Sequence, residues 1–136
     1  MSMNKDVCLT VVSKQIDLDG NENKDIQKYA CQYYLRNDVH FVIMNDEITN
    51  QTARYKFNHR YLEVIKNGDI SAKLYFEAGK DYTTVYRTPY GRLEFTFSTK
   101  QLTFIHKENE IILSVEYSIL NNGGLVSNNY IELQIG

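Results

Sequence analysis

Apolar and polar residues alternate with a period of two along most of this chain, and no other feature constrains its fold as strongly. In Val7-Cys8-Leu9-Thr10-Val11, one face carries Val7, Leu9 and Val11. In Ile70-Ser71-Ala72-Lys73-Leu74-Tyr75-Phe76, the apolar face is Ile70, Ala72, Leu74 and Phe76, with Ser71 and Lys73 turned away. The pattern recurs in Leu93-Glu94-Phe95-Thr96-Phe97, Leu102-Thr103-Phe104-Ile105-His106, Ile111–Tyr117 and Tyr130–Ile135. Successive side chains of a strand point to opposite faces, so each segment sets one face on a core and one in water. Lys24–Leu35 is open to a helix by propensity, but Tyr29, Cys31, Tyr33 and Leu35 share one strand face, which favours a strand.

Turn chemistry separates these runs. Asp19-Gly20-Asn21, Asn45-Asp46, Asn58-His59, Asn67-Gly68-Asp69, Ala78-Gly79-Lys80, Glu108-Asn109 and Asn121-Asn122-Gly123-Gly124 read as breaks. Asn67-Gly68 is the sharpest, because both residues tolerate the positive φ of a type I′ hairpin turn. The count is about ten strands, from near Asp6 to Gly136. Such short connections make consecutive strands antiparallel neighbours. A long meander must protect its edges, and closure does so. The expected fold is therefore all-β, an antiparallel meander β-barrel of about eight to ten strands.

The chain has 136 residues, with 15 Lys or Arg, 17 Asp or Glu and a net charge of −2. That length suits one domain over residues 1–136. The near-neutral balance argues against nucleic-acid and polybasic membrane partners. No apolar run approaches a membrane-spanning helix, and Met1-Ser2-Met3-Asn4-Lys5-Asp6 holds no secretory h-region. A cytoplasmic location is expected. Cys8 and Cys31 fall near each other if Asp19-Gly20 turns a hairpin, so a cross-strand disulfide is conceivable, although two reduced thiols are the simpler reading.

Motifs for chemistry are sparse. His40, His59 and His106 lack metal-ligand spacing, and His106 shares the face of Leu102 and Phe104. No nucleophile elbow or phosphate-binding Gly-rich loop occurs, so neither an enzyme nor a cofactor is expected. Arg54-Tyr55-Lys56-Phe57-Asn58-His59-Arg60-Tyr61 interleaves cations with rings, as single-stranded nucleic-acid platforms do. The overall acidic balance favours two ordinary strands with their rings inside.

Tyr86-Arg87-Thr88-Pro89-Tyr90-Gly91-Arg92-Leu93-Glu94 is the most distinctive segment and holds the only proline. Pro89 marks a turn and Gly91 a bulge or a close backbone approach. Arg92 and Glu94 share a face opposite Leu93, Phe95 and Phe97. One reading is a barrel-mouth cluster of Arg87, Tyr90 and Arg92 facing a ligand anion. The other is a strand corner tied by an Arg–Glu pair.

The Thr88-Pro89-Tyr90-Gly91-Arg92-Leu93-Glu94 segment, preceded by Tyr86, resembles the YwiB-like family of small bacterial proteins of unknown function. Tyr33-Tyr34 with Arg36, Gly68, Glu116-Tyr117 and Gly124 add to the resemblance. It implies a calycin-like barrel of the lipocalin class and carries over no activity. The chain has no Trp, so the lipocalin Gly-x-Trp signature is missing.

The functional expectation is non-catalytic binding of a small molecule in the barrel. Phe95, Phe97, Phe104, Leu113 and Val115 would line the cavity, and Arg87, Tyr90 and Arg92 would form its polar end. The alternative is a protein-interaction module, with a protein partner or a second copy on the outer wall or rim. An exposed aromatic patch such as Tyr33, Tyr55 and Tyr75 would mark it.

Overall fold

The computed structural model describes residues 5–136; Met1–Asn4, the start of the segment read for a secretory signal, lie outside the described residues. It contains ten strands: β1 (Lys5–Asp17), β2 (Glu22–Arg36), β3 (Val39–Asp46), β4 (Gln51–Phe57), β5 (Tyr61–Asn67), β6 (Ala72–Glu77), β7 (Asp81–Thr88), β8 (Gly91–Lys107), β9 (Glu110–Asn121) and β10 (Gly124–Ile135). They form one antiparallel sheet in the order β6-β5-β4-β3-β2-β1-β10-β9-β8-β7, rolled into a nearly closed barrel. Lys24–Leu35 is strand, inside β2.

The first and last strands pair with each other, from Leu9 opposite Ile135 to Asp17 opposite Ser127. The gap in the wall lies between β6 and β7. These strands are consecutive and joined by a short turn, yet they form no ladder, contrary to the expectation that every short connection pairs its strands. The reason lies in β8. Thr99 donates its N–H to Lys80 O and accepts from Gly79 N–H, at 3.0 and 2.9 Å. This draws the turn toward β8 and away from a hairpin. At the other end, Ser71 and Arg87 exchange two backbone bonds of 2.9 Å. The seam is thus pinned at both ends and unpaired between them.

The alternation sets the core. Leu9, Val42, Phe57, Leu62, Val64, Phe76, Phe97, Leu113, Val115 and Leu133 are buried on the inner face. Burying each such side chain stabilises the fold by roughly 1.5–3 kcal/mol.

Two hairpins show how turns fix register. Asn37 and Asp38 have φ of 52° and 63°, a two-residue loop between paired Arg36 and Val39. Asn67-Gly68 does not make such a turn. The last β5–β6 pair is Lys66 with Ala72, which leaves a longer loop. Gly68, at φ 135°, sits so close to the Asn50 carbonyl that a Cβ would collide with it. Gln51 then ties the loop down: its Nε2 donates to Ile70 O at 2.9 Å, and Ile70 N–H donates to its Oε1 at 3.3 Å.

Cys8 pairs in register with Ala30, and Cys31 with Val7. One residue of offset puts the thiols on opposite faces, Cys8 exposed and Cys31 buried, and both are free. Burial pushes the Cys31 thiol up to about 11, and Cys8 adds to the rise.

Candidate functional site

The centre of the barrel is filled. Phe97, Leu113 and Val115 are buried, and half-buried Phe95 and Phe104 pack against them. Phe97 stacks on Tyr117 at 5.6 Å and meets Phe76 at 5.7 Å. The five apolar residues expected to line a cavity do face inward, but rings occupy the space, and Phe104 meets Phe57 and His40 across the interior at 6.3 and 5.4 Å. They are core, not lining.

The expected polar end is not there. Arg87 and Arg92 are cross-strand partners near the tip of the β7–β8 hairpin. They share the face opposite Leu93, Phe95 and Phe97, which is the outer one. Tyr90, in the two-residue turn, is 99% exposed. The three do not converge on the interior. Gly91 takes φ 131° with open space where a Cβ would lie, so it serves the turn rather than a close approach. Among the described residues Arg92 and Glu94 make no ion pair. Arg87 alone reaches a cleft, the one at the β6–β7 seam, which Lys66, Ser71, Ala72, Lys73 and Thr84 also line.

The open end of the barrel lies elsewhere. Inner-face Tyr29, Met44, Ala53, Tyr55 and Lys66 surround a mouth of about 350 Å³. Thr49, Gln51, Asp69 and Ile70 form its rim, contributed by the β3–β4 connection, the first residue of β4 and the β5–β6 connection, which Gln51 ties down. Lys66 follows Leu62 and Val64 on the inner face of β5, so the strand period turns it inward. It lines both the mouth and the seam cleft. Among the described residues it has no ion-pair partner. Desolvation holds its pKa below the ordinary lysine value. Burial raises the Tyr55 phenol well above its usual range, with Tyr29 and Cys31 adding to the effect. The arrangement offers one ammonium against an aromatic and aliphatic wall.

At the opposite end His40 is buried, with 6% exposure. It stacks on Phe57 at 5.2 Å, and His106 meets it edge-on at 5.4 Å. His106 belongs to the inner row, as its face suggested, but it stands exposed at the rim. The spacing of His40 speaks only against metal ligation; its place in the row His40, Val42, Met44 is the signal that it turns inward.

The tyrosines correct one further expectation, and Arg54–Tyr61 follows the reading of two ordinary strands. Tyr33, Tyr55 and Tyr75 form no patch. Tyr55 is buried in the core, Tyr33 hydrogen-bonds His40, and Tyr75 bonds Glu77 and stacks on Tyr61 at 5.7 Å. In Arg54–Tyr61, Tyr55 and Phe57 are buried while Arg54 points out, so these rings are closed to stacking bases.

Comparison with known proteins agrees with this architecture. The family described as Domain of unknown function (DUF1934) matches residues 9–133. The crystal structure of the ywiB protein from Bacillus subtilis superposes with a TM-score of 0.80 at 21% identity, covering 98% of this chain and 93% of that one. No curated protein matches the chain. Among the described residues no helix is long and apolar enough to cross a membrane.

Proposed function

The chain belongs to the DUF1934 family, whose description assigns no activity, and from that premise we propose that it binds a small anionic molecule at the barrel mouth without transforming it. Lys66 carries this reading. A partly desolvated ammonium without a carboxylate partner gains most from an anion that a ligand supplies. Tyr29, Tyr55, Met44 and Ala53 would hold the ligand's body, with Met44 as the adaptable wall. A mouth of about 350 Å³ lies at the small end of the usual ligand range of about 300–1,000 Å³. The fitting class is a carboxylate on a compact apolar or aromatic body. Asp69 at the rim disfavours anions larger than the mouth.

The ligand thus sits at one mouth, the lipocalin-like arrangement, and not in the packed centre. The reading is of binding alone, because holding an anion needs no nucleophile with a base beside it. The free thiols fit a reducing compartment, and on that ground the proposed location is the cytoplasm.

The chain has 11 Tyr and no Trp, and Tyr29 and Tyr55 line the mouth, so a ligand there quenches part of the tyrosine emission. Aromatic and medium-chain carboxylates, titrated after native mass spectrometry has checked for a retained ligand, should quench it saturably. Lys66→Met should weaken binding by at least about tenfold, the loss of one charged hydrogen bond. Equal affinity in Lys66→Met, or no saturation below about 10 mM, overturns the reading.

A further inference from the structure

We propose a second anion site, on the outer wall, in a groove flanked by Lys24 and Lys100 that takes a small phosphate monoester. The sheet register builds it. Lys24 of β2 stands directly opposite Lys14 of β1, and the row continues through Tyr130 of β10 to Glu116 of β9. The next row runs Glu22, Ile16, Asn128 and Ser118. On β8 the register slips between Thr99 and Gln101, so Lys100 has no cross-strand partner. Such a bulge re-aims a side chain. Lys14, Lys24 and Lys100 line one groove of about 430 Å³, together with Val12, Ile16, Glu116, Ser118, Asn128 and Tyr130.

The charges in this groove do not balance. Like charges placed directly opposite destabilise a sheet. Glu22 relieves Lys14 with an ion pair of 2.9 Å. Among the described residues Lys24 and Lys100 have no ion pair. Because Glu116 also lines the groove, a singly charged anion is a weak match. A phosphate monoester brings nearly two negative charges and three acceptor oxygens. Ser118 donates its hydroxyl to Asn128 Oδ1 at 2.7 Å, which leaves the Asn128 amide NH₂ as a further donor. Val12, Ile16 and the Tyr130 ring supply an apolar flank for the organic body.

The site is independent of Lys66 and the mouth, so one experiment separates the two. Adenosine 5′-monophosphate is titrated at low salt into the isotope-labelled protein, with adenosine as control, and backbone amide shifts are followed. Saturable shifts should appear around the groove, on β1, β2, β8, β9 and β10, and be absent with adenosine. Lys24→Ala with Lys100→Ala should weaken binding at least about tenfold, while Lys66→Met leaves it unchanged. Both lysines are exposed, so an unchanged melting temperature confirms that the double variant folds. Unchanged affinity in the double variant, shifts spread over all exposed lysines, or no saturation below about 10 mM overturns the proposal.

Discussion

The Tyr33 hydroxyl and His40 Nδ1 lie 2.7 Å apart at the closed end of the barrel. The His40 ring also stacks on Phe57 and is approached by Phe104 at 5.4 Å. Desolvation lowers its pKa, the neighbouring His106 lowers it further, and Asp38 partly opposes both. The unfolded chain therefore binds the proton more readily. The stability is present above about pH 6.5 and is lost as pH falls through the lowered folded value. His40→Phe should flatten thermal stability between about pH 5 and 8. At pH 8 it should cost about 1 kcal/mol, because Tyr33 loses its partner. An unaltered pH slope in the variant would show that His40 is not the titrating group.

Thr99 contributes both backbone bonds that pin one end of the seam, yet its hydroxyl is buried without a hydrogen-bond partner among the described residues. Thr99→Val keeps the shape and the backbone bonds and removes the orphan. Its urea midpoint should rise, by about 1 kcal/mol in stability. A fall would mean the hydroxyl has a partner, such as ordered water.

Gly68 and Gly20 both adopt positive φ, but only Gly68 is crowded. Gly68→Ala should lose about 1–3 kcal/mol, because a strained φ and a collision with the Asn50 carbonyl add. Gly20→Ala should lose about 1 kcal/mol from backbone strain alone. Equal losses, compared by chemical denaturation, would remove the crowding argument. Gly68→Ala should also loosen the rim and weaken ligand binding.

Arg87 and Arg92 face each other with like charge in an exposed hairpin. Arg92→Glu makes the pair attractive and should raise stability by a few tenths of a kcal/mol up to about 1 kcal/mol. The gain should shrink at high salt. A gain that salt leaves unchanged would point to packing instead of charge.

Much of the fold was legible in single segments. The inner faces of Leu9, Leu74, Phe97 and Leu113 follow from alternation alone, and so does the β2 strand. What alternation cannot report is the depth of side chains arriving from the opposite wall. Phe57, on β4, reaches across to Phe104 on β8 and fills the space that Phe104 was expected to line. Arg92 was legible as outward, since it alternates with Leu93, and its assignment to a ligand cavity conflicted with that period. Lys66 was equally legible as inward, third in the row Leu62, Val64, Lys66, but a lysine beside Asn67-Gly68 reads as a solvated turn residue. The seam was hidden because it depends on Thr99, distant in sequence from the turn it captures.

The ladder between β1 and β10 carries a consequence for how the protein is made. Leu9 and Ile135 meet across it, although nearly the whole chain separates them. The other ladders are local hairpins that assemble as each pair of strands emerges. Closing so long a loop is entropically costly and slow. The inner edge of β1 stays unsealed until the tenth strand has left the ribosome, so every shorter nascent chain carries an open edge for chaperones or for aggregation to find.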